Sequence, residues 1–427
     1  MKPASAPKDR RDDVRLLVVN ANAGEARCSR TDAALAADDS LPAWLDAHAR
    51  DLPRLLQRGD LLVLNDAATL PAALHGRGPG QPGEPIELRL LGRGPLVHVD
   101  CLRGGSTDVS TGAEAAEEER WSAVLFGAGD WRTPTEHRAA PPRVQPGDRL
   151  SFGDAAAASA IGSHASPQLV AEVTAVAAAS PRLLEVRFLP QGRTFLSMLY
   201  ALGRPVQYSY LACDLALWSV QTVYAARPWA VEMPSAGRPL SWDLLLALRE
   251  RGVELAWLTH AAGLSSSGDP VLDSQLPLPE RYEIPPETIA AIERTRRSGG
   301  RVIAVGTTVV RALEGAERTA RAAGLPLGSL RPGAGITSLR LHEGTQRAVV
   351  DALLTGLHGP GESHFDLLST FAPQQCLRDA WQHASDAGYA CHEFGDLCLI
   401  DSPRTAPQSR NQAPRARASV VLSSVAL

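Results

Sequence analysis

Two turns and one loop carry the side chains whose types and spacing could do chemistry in this chain of 427 residues. Gly306, Thr307 and Thr308 interrupt an apolar run, after which Val309, Val310, Leu313, Ala316 and Ala320 keep a helical period. A helix starting there turns its free amides toward an anion, and Thr307 or Thr308 is expected to cap it with its hydroxyl. Arg311 lies one turn in, where a cation opposes the helix dipole; a ligand carboxylate or Glu314 could offset it. Asn65 and Asp66 end the run LLVLN, at the carboxyl end of a predicted strand, where open α/β sheets bind ligands; a plain Asn-Asp turn fits the pair equally well. In the third place, His358 is flanked by Gly356 and Gly359, so its ring can approach a ligand closely, and Ser363 and His364 follow, with Ser363 read as the cap of a helix over 364–371.

One cluster looks like a metal site and is read otherwise. His392, Glu393 and Asp396 do not meet the helical His-Glu-x-x-His spacing, and the segment runs into a strand, so a hydrogen-bonding network is expected and no metal. The six cysteines are scattered, without a C-x-x-C pair, and are read as reduced thiols.

These residues need a sheet to position them. Strands are predicted at 15–19, 61–65, 253–258, 301–305 and 396–400, and helices at 41–57, 193–203, 240–251, 285–299 and 363–385, the pattern of an α/β body. Between 71 and 190 the texture changes to short alternating runs punctuated by Gly and Pro: 85–91, 95–100, 121–126, 146–152, 169–176 and 182–189. This predicts an antiparallel β domain, a small barrel, with mobile loops at 105–119 and 153–166. The fold class is therefore an α/β main domain (1–70 and 190–401) with an inserted antiparallel β-barrel-like domain (71–189), followed by a disordered tail at 402–427 rich in Pro, Ser, Arg and Gln.

Composition excludes more than it selects. A formal net charge of −4 advertises no polyanion partner, and the cluster Arg294, Arg296, Arg297 and Arg301 reads as a solvated helix end. No apolar run approaches a membrane span and the opening segment has no apolar signal core, so a cytoplasmic protein without membrane contact is expected, and a monomer.

Several separated segments together resemble the S-adenosylmethionine:tRNA ribosyltransferase-isomerases of queuosine biosynthesis, as a divergent branch. They are LLVLNDAATLPAALHGR (61–77), QTVYA (221–225), PSAG (234–237), ERYEIP (280–285), RVIAVGTTVVRALE (301–314), VVDALLTGLHGPGESH (349–364) and HEFGDLCLI (392–400), in the family's order. The resemblance implies an enzyme that transfers and isomerises the ribosyl part of S-adenosylmethionine onto 7-aminomethyl-7-deazaguanine in tRNA, releasing adenine and methionine. It implies S-adenosylmethionine as co-substrate and no cofactor, because the sulfonium both acidifies the ribose 5′ carbon and makes methionine a good leaving group.

What such a protein supplies is a base, proton delivery to adenine, positioning and exclusion of water. The resemblance implies Glu280 as general base, with His358 and His260 as further catalytic candidates. It places Gly306, Thr307, Thr308, Arg311, Gln221, Tyr224, Ser235, Asn65, Asp66 and His364 at the substrate. Gln221, Thr222 and Tyr224 could bond adenine or ribose edges, or fasten a loop. The family's Leu-His pair after its P-T-A-G falls on Arg238 and Pro239, a histidine before the glutamate falls on Leu278, its T-L-H-V-G segment becomes Thr259, His260, Ala261, Ala262 and Gly263 with the histidine shifted or lost, and Gly356 stands for an asparagine. The donor side thus reads as kept and the acceptor side as rebuilt. That leaves open the same donor with a small-molecule acceptor, or a silent nucleoside-binding homologue.

Overall fold

The computed structural model describes residues 1–21, 44–80, 83–94, 119–153, 168–190 and 192–401. The predicted strand 95–100, nearly all of the predicted loops at 105–119 and 153–166, and the tail 402–427 lie outside the described residues.

Four parallel strands form the centre of a nine-stranded sheet: Glu254–His260, Leu61–Asn65, Val302–Val305 and Ala352–Gly356, side by side in that order. Leu61–Asn65 and Val302–Val305 are buried along their whole length, as their continuous apolar runs require. Glu280–Ile284 and Gly333–Thr337 extend one side antiparallel. Leu397–Asp401, Arg15–Asn20 and Trp44–His48 extend the other.

Alternation sorts the central strands into two cores. Leu61, Val63, Val302 and Ala304 pack with Ile292, Val309, Val310 and Leu313 from the helices Pro286–Arg297 and Thr307–Ala322. Leu62, Leu64, Ile303 and Val305 pack on the opposite face with Leu244, Leu245 and Leu248 of the helix Trp242–Glu250.

The inserted unit is a closed antiparallel barrel. Its strands are Ala73–Gly80, Gly83–Arg93, Arg120–Phe126, Arg149–Phe152, Leu169–Val176 and Leu183–Pro190. The first of these had no strand signal in the sequence. Where the barrel closes, Gly76 pairs with Phe152, and a Cβ at Gly76 would collide with the Ser151 carbonyl. Leu264, Leu272, Leu276 and Leu278, from a loop of the α/β body, join Leu88, Phe126, Phe152 and Phe188 in the barrel's core, so the two units share apolar packing.

Several expectations are corrected. The predicted helix at 41–57 is the edge strand Trp44–His48 followed by short turns of helix over 49–55; its helical spacing loses to pairing with Arg15–Asn20. The predicted helix 363–385 is two, Ser363–Leu368 and Gln374–Asp386, separated at Pro373. Glu362, not Ser363, is the N-cap of the first. Three of the four clustered arginines serve the fold: Arg294 pairs with Glu254, Arg296 donates to the carbonyls of Gly328 and Ala348, and Arg301 bridges Asp60 and Asp401. Glu393 accepts from Tyr210, and Asp396 accepts the Arg15 and Ala390 amides at 2.9 Å each, the network expected there.

Candidate active site

Because the four central strands run parallel, their carboxyl ends share one edge, and residues far apart in sequence meet there. Asn65 and Asp66, Thr259 and His260, Gly306 to Thr308, and Gly356 each follow or end one of them. The antiparallel strand Glu280–Ile284 begins at this same edge, which brings Glu280 alongside His260.

Asn65, 1% exposed, is the fastener of this edge. Its amide donates to the His260 carbonyl (3.0 Å) and its oxygen accepts the His260 and Ala67 amides (2.9 and 3.1 Å). Thr308 Oγ1 lies 3.4 Å from the same amide nitrogen. Asp66 accepts from Thr259 Oγ1 at 2.6 Å through one carboxyl oxygen. Burial pushes the Asp66 carboxyl up, against that hydrogen bond.

Glu280 and Arg311 form a buried ion pair. The other Glu280 oxygen accepts the Gly263 amide at 2.7 Å. Arg311 also donates to the carbonyls of Leu339 (3.1 Å) and Leu278 (3.5 Å). The cation in the first helical turn is thus answered by Glu280, not by Glu314, whose carboxylate instead accepts the backbone amides of Ala348, Val349 and Val350. His260 has no exposed surface; its Nε2 lies 3.3 Å from Glu280 without the alignment of a hydrogen bond, and neither ring nitrogen has a partner. Burial, with Arg311 behind the carboxylate, holds the imidazole neutral, down at about 4.

The strand-to-helix turn departs from expectation in one respect. Gly306 is itself the N-cap, at φ 92° and ψ 153°, and neither threonine caps the helix. The positive φ is what the glycine is for. Thr307, 8% exposed, and Thr308 open the helix Thr307–Ala322, and its first-turn amides face the shared edge.

Three candidates sit in two neighbouring turns. Gln221 is fully engaged: its side chain accepts the Thr69 amide (2.9 Å) and donates to the Thr69 carbonyl (2.8 Å). Tyr224 is buried against Gly237 with an unpaired hydroxyl. Ser235 opens the short helical turn Ser235–Gly237, which packs on Ala352–Gly356 and is half-buried. Arg238 is buried and donates to the Ser219 carbonyl at 2.9 Å over the ring of Phe394.

His358 and His364 are brought together: their rings stack with centroids 4.6 Å apart and 16° between planes. Thr355 Oγ1 lies 3.3 Å from His358 Nε2, and Glu362 lies 3.4 Å from Nδ1. Burial, then the neighbouring His358 and Arg311, push His364 down to about 3. Sequence reasoning missed Thr259, Gly263, Thr355 and Glu362 as members of the site. Only Glu362 had a readable signal, a carboxylate four residues after a glycine-flanked histidine.

An α/β body with polar groups gathered along the carboxyl edge of its parallel strands, carrying an inserted closed barrel, defines the class. The chain belongs to the family described as queuosine biosynthesis protein, whose model matches residues 2–400. It is 35% identical over 411 residues to the S-adenosylmethionine:tRNA ribosyltransferase-isomerase of Sorangium cellulosum, covering 93% of this chain and 94% of that protein. The protein of the same name from Acidithiobacillus ferrooxidans is 33% identical over 406 residues, with the same coverage. A crystal structure of an S-adenosylmethionine tRNA ribosyltransferase from Thermotoga maritima aligns at 22% identity and a TM-score of 0.43, over 93% of this chain and 96% of that one. Among the described residues no helix is long and apolar enough to cross a membrane.

Proposed function

We propose that this chain is an S-adenosylmethionine-dependent ribosyltransferase-isomerase that acts on tRNA carrying 7-aminomethyl-7-deazaguanine, as a cytoplasmic monomer without a further cofactor. The observation that supports it most is the convergence of Asn65, Asp66, Glu280, Gly306 to Thr308, Arg311 and His358 on one sheet edge, in a chain aligned over nearly its whole length with relatives of that name.

In this reading the first-turn amides after Gly306, with Thr307 and Thr308, receive the negative end of the donor. Asp66, with one carboxyl oxygen outside its bond to Thr259, takes a donor hydroxyl. Glu280 is held in place by Arg311 and the Gly263 amide and serves as the base at the ribose 5′ carbon. His260, sealed beneath it, acts through Glu280. Gln221 contributes by fixing the turn that carries Tyr224, while Tyr224, Ser235 and His364 border the donor. His358, 22% exposed and nearest the loop edge, moves the proton that adenine needs.

Incubation of the purified protein with S-adenosylmethionine and deazaguanine-modified tRNA, followed by mass spectrometry, tests the proposal. Adenine and methionine released in step with a mass gain on the tRNA are expected. Donor binding with no adenine release from this tRNA would overturn it.

A further inference from the structure

His358 is embedded in a constellation of three side chains drawn from one strand end, the loop after it and the helix that follows. The ring is held on three sides. Glu362 faces Nδ1 at 3.4 Å, Thr355 Oγ1 faces Nε2 at 3.3 Å, and the His364 ring stacks on its face at 4.6 Å. Thr355 is 2% exposed at the end of the strand Ala352–Gly356, so it is a fixed point. The Glu362 side chain is 49% exposed, and the loop brings it to the ring. Its backbone is the N-cap of the helix Ser363–Leu368, and a Cβ at Gly359 would lie 3.3 Å from its carboxylate and 3.3 Å from the Trp381 indole nitrogen, so the loop passes close beside it.

A carboxylate on one ring nitrogen and a hydroxyl on the other is how a histidine is set up for proton transfer. The carboxylate fixes the proton on Nδ1, which leaves Nε2 as the working atom, and it stabilises the imidazolium when Nε2 is protonated. The neighbouring imidazole does not substitute for it: His364 is held neutral by burial, with His358 and Arg311 adding to the effect. His392, whose ring stacks on Tyr210, adds to the field that holds the Glu362 carboxyl down.

We infer that Glu362 is the positioning residue of His358, fixing its Nδ1–H tautomer and sustaining the imidazolium that delivers a proton from Nε2. This rests on the ribosyl-transfer reading. In that step the bond from ribose C1′ to adenine breaks with its electron pair left on the adenine nitrogen, while the ribose ring oxygen gives C1′ a lone pair to form a C=O bond. That nitrogen takes the Nε2 proton, His358 becomes neutral imidazole, and water restores the proton.

Glu362→Gln, Glu362→Asp and wild-type protein are compared in two assays. The first is adenine release across pH. Glu362→Gln is expected to lower kcat about 10- to 100-fold with the KM for S-adenosylmethionine nearly unchanged, and to move the alkaline limb of the kcat profile to lower pH, because the acid form of His358 loses its support. Glu362→Asp is expected to restore the limb in part. The second assay needs no turnover: the ¹⁵N ring shifts of His358, assigned by their loss in His358→Asn, are expected to report an Nδ1–H tautomer in wild type and its loss in Glu362→Gln. An unchanged alkaline limb and kcat in an active Glu362→Gln enzyme overturns the inference. If wild type releases no adenine, the ribosyl-transfer reading fails, and the ring shifts decide the role of Glu362 alone, with an unchanged tautomer overturning it.

Discussion

Asn65 and His260 exchange two hydrogen bonds in which one partner uses its side chain and the other only its backbone: the Asn65 amide group donates to the His260 carbonyl at 3.0 Å and accepts the His260 amide at 2.9 Å. The side chain thereby extends the ladder between two parallel strands past the point where their backbones separate. Its remaining contacts reach Ala67 and Thr308, so a single amide ties two strand ends to the start of a helix.

Asn65→Ala leaves the His260 and Ala67 amides unsatisfied in a buried place, and is expected to cost about 2–3 kcal/mol of folding free energy. Equilibrium urea unfolding measures it. A loss indistinguishable from that of an exposed polar-to-alanine change would show the fastener to be idle.

Arg311→Met strips the partner from a buried carboxylate and is expected to destabilise by about 3–5 kcal/mol. Glu280→Gln combined with it should recover most of that loss, since no unpaired charge is left behind. A double-mutant cycle in denaturant reads the coupling, and additive losses would contradict a shared ion pair.

Thr307→Val keeps the volume and removes one hydroxyl at the strand-to-helix turn. Affinity for S-adenosylmethionine, read by calorimetry, is expected to fall roughly fivefold, the worth of about 1 kcal/mol. Unchanged affinity would reduce this turn to a connection.

His260 and His364 are held neutral by burial, at about 4 and about 3 against the ordinary 6.5. The unfolded chain therefore takes up protons that the fold refuses. Stability is full above about pH 6.5 and declines as pH falls toward those folded values. Thermal unfolding between pH 8 and pH 4.5 should show this decline, and His260→Gln should make it shallower. A Tm that stays level from pH 6.5 to pH 4.5 in wild type would count against the burial argument.

Much of this architecture is legible in the residues. Val302 to Val305 announce a buried strand by an unbroken apolar run, and Gly306 marks its turn. The barrel strands from Arg120 onward announce themselves by alternation. What could not be read depended on partners distant in sequence. Trp44 to His48 carry helical spacing, yet the free edge of Arg15–Asn20 makes them a strand. Gly333 to Thr337 have too little side chain to signal anything before Glu280–Ile284 pairs with them. Glu314 stands one turn from Arg311 and looks like its partner, but the amides of 348–350 claim it first. Within the site, sequence supplied the individual groups, and folding decided that Arg311 meets Glu280 and that His358 meets His364.

The pairing of Arg15–Asn20 with Leu397–Asp401 sets an order of events during synthesis. Arg15–Asn20 is made long before the strand it lies beside, and Ala352–Gly356, which supports the His358 loop, gains its outer neighbour only when that later strand has emerged. The barrel strands, all encoded before residue 191, can pair earlier, and their core is filled once Leu264 to Leu278 have followed, still ahead of Leu397–Asp401. The nascent protein would then carry a closed barrel on an unfinished sheet, and the sheet that bears the site would be completed only when Leu397–Asp401 arrives.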